Sequence, residues 1–125
     1  MKTKVVTYIA LAVAFLMACG STFAHHGNAS FDTSKHVEMK ATVVQLLWIN
    51  PHSILKFDVK DDKGNVVHWM GELSSPVASS AKGWSRDSVR PGDVITVYVS
   101  PSKAGTPFGE LSKVVLADGT TLDGR

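Results

Sequence analysis

Histidine is the residue type whose placement in this 125-residue chain invites chemistry. All five histidines follow the first two dozen residues: His25, His26, His36, His52 and His68. Neutral imidazole suits copper, zinc, nickel and iron. Cleavage after Ala24 would leave His25 with a free α-amino group beside its own imidazole. Those two nitrogens can close a chelate ring on one ion, and the amine titrates near about 8, so it loses a proton to a metal readily at neutral pH. Copper heads the divalent affinity order for nitrogen ligands, so copper is the expected ion, with His26, His52 or His68 as further ligands. The alternative is a polar start that holds nothing, as chain termini often are.

Other residues carry paired readings. His52 follows Asn50-Pro51 at a turn, where it is either a ligand or a turn histidine bonded to a backbone carbonyl. His68 and Glu72 lie four apart on one strand, hence on one face, and could share a hydrogen bond or a metal. Glu72 reads equally as a buried carboxylate tied to Arg86 or to a backbone amide. Trp48, Trp69 and Trp84 could stack on a ligand or fill a small core. The chain has no nucleophile–base motif, phosphate loop, paired-cysteine zinc site or His-Glu-x-x-His, and the expectation is that it is not an enzyme.

The amino terminus says where these residues would work. Lys2 and Lys4 precede an apolar run from Val5 to Ala18 that is shorter than the roughly 20 residues of a membrane span. It fits the core of a signal peptide over residues 1–24, ending in Thr22-Phe23-Ala24. Leu16-Met17-Ala18-Cys19 offers a second route, in which Cys19 is lipidated and the protein becomes a lipid-anchored lipoprotein. The first route gives a periplasmic or secreted protein without a cysteine, since Cys19 is the only one. Lys2 and Lys4 also account for the net charge of +2. The remaining chain is balanced, which argues against nucleic acid and against a polybasic membrane patch.

The elements that must position the candidates are mostly strands. Residues 25–36 read as a polar arm, and residues 37–125 as one domain. Val37, Met39, Ala41 and Val43 alternate with polar residues, and the apolar phase then moves to Val44, Leu46 and Trp48. Such a shift predicts a bulge. Strands are expected near residues 37–49, 53–60, 65–73, 94–100 and 110–117. Ser75-Pro76 predicts a helix over about residues 76–82. Three strands, a short helix and two strands is the order of a five-stranded OB-like barrel, mainly β.

Ala24-His25-His26, Phe31-Asp32, Trp48 with Asn50-Pro51-His52, Trp69 with Glu72, Ser75-Pro76, Gly83-Trp84, Arg86-Asp87 and Pro91-Gly92-Asp93 together resemble a family of small exported bacterial proteins of unknown function. The resemblance covers the whole domain. Family members tend to carry Ser-Phe directly after His-His, where this chain has Gly27-Asn28-Ala29. The resemblance implies no activity, because the family has none established; the histidines themselves point to a small exported binding module, with copper or another metal as its ligand. The other reading is an envelope protein-interaction or structural module with no small ligand.

Overall fold

Residue 1 and residues 30–125 are described by the computed structural model. The alternation in the first strand sets the barrel wall. β1 (Val37–Leu47) turns Ala41 and Val43 into the core, both 2% exposed. Val43 pairs with Phe57, and the next pair is Gln45 with Lys56, so Val44 is the extra residue of a bulge. Beyond it the inward parity has changed, and Leu46 faces the core opposite Leu55. One inserted residue thus bends the strand without losing its buried side.

β2 (Ile54–Lys60) and β3 (Val66–Glu72) form a hairpin in full register from Ile54↔Glu72 to Lys60↔Val66. Its turn is built on Asp61, whose carboxylate accepts from the backbone N–H groups of Lys63 and Asn65, both at 2.8 Å. These bonds, the Asn65 amide first, hold the Asp61 carboxyl below its ordinary value. α1 (Pro76–Ser80) starts on Ser75, whose Oγ accepts from Ala78 N–H at 3.3 Å. It is one short turn of helix, ending two residues before the expected stop. β4 (Val94–Pro101) and β5 (Phe108–Val115) return antiparallel to each other. A sixth strand, β6 (Thr121–Asp123), follows and pairs with β5.

The sheet order is β3-β2-β1-β4-β5-β6, and a parallel pairing of β3 with β5 closes the first five strands into a barrel. With α1 between β3 and β4, this is the OB-like order. The pairs Ser100↔Glu110, Glu110↔Glu72, Glu72↔Ile54 and Ile54↔Leu47 step round the wall to the end of β1. Val37, at the start of β1, pairs with Val99 beside Ser100. The ring therefore closes with almost the whole of β1 as stagger, the strand tilt that a small barrel requires.

The closing pairs are Met70↔Phe108, Gly71↔Gly109 and Glu72↔Glu110. The central pair is glycine on both strands for steric reasons. A Cβ on Gly71 would lie 2.5 Å from Leu111 Cδ1, and one on Gly109 would collide with Val99 Cγ1. Inside the wall, Leu55, Phe57, Leu73, Val97, Val99, Leu111 and Val114 are at most 1% exposed and form the centre of the core.

Candidate functional site

The β3–β5 seam gathers a group of charged side chains. Glu72 and Glu110 are register partners on the outside of the seam, with side chains 14% and 13% exposed. Arg125 lies between them: its Nη2 is 3.2 Å from Glu72 Oε1 and its Nε is 3.3 Å from Glu110 Oε1. Glu110 Oε2 is buried and accepts no hydrogen bond. The chain reaches this place because Gly124 is tied down on both sides. Its N–H donates to Ser112 O at 2.9 Å, and its O accepts from Ser74 N–H at 3.2 Å. One residue earlier, Asp123 O accepts from Trp84 Nε1 at 2.8 Å.

His52 stands at the same seam, two residues before β2, after a cis Asn50-Pro51 peptide. Its Nδ1 is 3.3 Å from Leu73 O and 3.4 Å from Glu72 Oε1. Leu73 O can only accept, so Nδ1 carries the proton in the neutral ring. Nε2 is then the nitrogen with a lone pair, on a side chain 44% exposed. A carbonyl or carboxylate on one ring nitrogen, fixing the tautomer and leaving the other free, is the usual second-shell arrangement of a metal-binding histidine.

The other candidates are dispersed. His68 does share a face with Glu72, yet its Nδ1 is 2.6 Å from Asp58 Oδ1, its cross-strand partner on β2, and its side chain is 82% exposed. Glu72 takes Arg125 and the His52 ring as its neighbours, whereas Arg86 is exposed on the loop after α1. His36 lies 3.4 Å from Ser100 Oγ. Trp48 and Trp69 pack against the core, Trp69 stacked on Phe57 at 6.3 Å between centroids, and Trp84 is buried. His25, His26 and Cys19 lie outside the described residues.

Sequence reasoning missed Glu110 and Arg125, and also the anchor of the arm. Phe31 is 3% exposed, pairs with Ser102, and sets its ring 5.4 Å from that of Phe108. Lys103 N–H and Asp32 N–H add bonds to Ser30 O and Pro101 O. The buried aromatic in an otherwise polar stretch was the available signal. Among the described residues no three His, Cys, Asp or Glu side chains are grouped to hold a metal ion, and no helix is long and apolar enough to cross a membrane.

The fold and seam define a small OB-like β-barrel closed by the β3–β5 pairing, with an ion network across that seam and a sixth strand added beyond β5. The chain belongs to a family of unknown function (DUF6152), whose match covers residues 13–111. No curated protein and no solved structure matches it.

Proposed function

We propose that this protein is an exported, non-catalytic binding module that takes one copper ion through the α-amine and imidazole of His25, with His52 Nε2 as the ligand from the barrel. His26 and His68 are further donors within the same scheme. The signal peptide over residues 1–24 and a periplasmic or secreted location belong to this reading, because the chelate needs cleavage after Ala24.

The observation that carries it is the state of His52: Nδ1 is committed to Leu73 O and Glu72, so Nε2 is the donor. The anchor of the arm supports it. Phe31 packs on Phe108, and Glu110, beside Glu72 and His52, lies two residues along the same face of β5, about 7 Å away. Residues 25–29 can span up to about 17 Å, and the copper site requires that this reach bring His25 to His52.

The test is copper titration calorimetry on protein with an authentic His25 terminus and on protein carrying one extra residue before it. Intact mass identifies the terminus first. The extra residue separates the free amine from the His25 imidazole and is expected to weaken binding sharply. Glu72→Gln, which loosens the hold on His52, is expected to cost about tenfold or more in affinity. Equal affinity in the two preparations would overturn the chelate.

A further inference from the structure

β1 has a strand on both sides only at Thr42. It pairs with β4 from Val37 to Thr42 and with β2 from Thr42 to Leu47. Among the described residues, the edge of residues 37–41 turned away from β4 has no neighbouring strand, because β2 continues past Asp58 paired with β3 alone. The two strands part there round a cleft of about 680 Å³, whose lining includes Glu38, Met39, Lys40, Val59, Lys60 and Val66.

Parity decides which main-chain groups face this cleft. Val43 N–H donates to Asp93 O, on the β4 side. In an antiparallel ladder the direction alternates from residue to residue. Ala41 and Met39 therefore turn N–H and C=O to β4, and Lys40 and Glu38 turn theirs into the cleft. A strand edge with outward-facing donors and acceptors is a template for another strand. Apolar side chains stand round it: Val66 and Val94 line the cleft and are 51% and 45% exposed.

The order of charges along the edge selects the occupant. An antiparallel second copy centred on Met39 sets Glu38 against Lys40 of the second copy, and Lys40 against its Glu38. These are the residues whose main-chain groups face the cleft, so both are hydrogen-bonded pairs, and each sets opposite charges directly across from one another. Centring on Glu38 or on Lys40 instead sets a charge against itself. On its other side, Glu38 is the cross-strand partner of Tyr98 on β4. Partial burial first, and the hydrogen bond to Glu38 second, raise the Tyr98 phenol above its ordinary value.

We propose that the open edge of β1 is a self-association site, at which two copies of this chain add β1 to β1 about a twofold axis through Met39. The contact is isologous and closes on itself, so it makes a dimer and no longer assembly.

Sedimentation equilibrium on the exported protein tests it, with the two charge reversals and their mixture. The wild-type protein is expected to show a concentration-dependent monomer–dimer equilibrium. Glu38→Lys and Lys40→Glu each place like charges across both pairs, and each is expected to weaken the dimer by about tenfold or more. An equimolar mixture of the two variants restores opposite charges in both pairs and is expected to form a mixed dimer close to wild-type strength. A variant that failed to fold would not be rescued by mixing, so recovery separates pairing from misfolding. A wild-type protein that stays monomeric into the millimolar range overturns the proposal. So does a set of single variants that associate as the wild type does, or a mixture no stronger than its components.

Discussion

The barrel wall is interrupted twice, and the two interruptions are finished in opposite ways. At the seam, β3 and β5 share three residue pairs, and everything nearby tightens the join: paired glycines, Arg125 between two carboxylates, and the C-terminal segment bound to Ser74 and Trp84. At the mouth between β1 and β2 the strands part, and what lines the opening is a row of alternating charges with exposed valines. The seam uses charge in a largely buried place, where Arg125 pairs with both carboxylates. The mouth keeps its charges in water, where an unmatched one costs little. Closure is thus a property of the seam, and capacity for a partner is a property of the mouth.

Substitutions that bear on this contrast should differ widely in size. The largest effect is expected from Trp84→Ala, which empties a core position 2% exposed and removes the bond to Asp123 O. A loss of about 3–5 kcal/mol is expected, read from urea unfolding. A loss below 1 kcal/mol would mean that neither Trp84's core packing nor its bond to the C-terminal segment stabilises the barrel. Gly71→Ala comes next, since the new Cβ would press on Leu111. The cost is expected to be about 1–3 kcal/mol, measured the same way. The smallest effect belongs to the hairpin beside the mouth. The bonds from Asn65 and Lys63 hold the Asp61 carboxyl below its ordinary value, so its contribution is complete above the ordinary value of 3.8 and is lost as pH falls through the folded-state value below that. Asp61→Asn should lower stability slightly near pH 7, by the contribution the charge makes there, and flatten its fall in this acid range. An unchanged acid limb would show that the turn does not depend on the charge.

Most of the barrel was legible because its strands are long enough to alternate. The bulge in β1 was visible as the move of the apolar phase at Val43 and Val44, and the register confirms the extra residue there. The cap of α1 was visible in Ser75-Pro76. β6 was not, because Thr121–Asp123 is too short to show a period. The seam was less legible still. A parallel pairing joins strands distant in the chain, so nothing local announces that Glu72 meets Glu110, or that Arg125 lies between them. His68 and Glu72 did share a face, as their spacing required. Facing the same way says nothing of the neighbouring strand, and Asp58 on β2 lies directly across from His68.

The seam also orders events in time. Its contacts join residues far apart in the chain: Ser74 with Gly124 is separated by 50 positions, and Glu72 with Arg125 by 53. The β2–β3 hairpin, whose turn spans only Asp61 to Asn65, needs almost no loop to be closed. Loop-closure entropy has to be met before a distant contact can contribute, and such contacts slow folding. The hairpin is therefore expected to form early, and the seam to be the last step in and the first step out. Trp84, whose indole bonds to the C-terminal segment, is the natural fluorescent reporter of that step, while Trp69, stacked on Phe57 inside the hairpin, reports the earlier one.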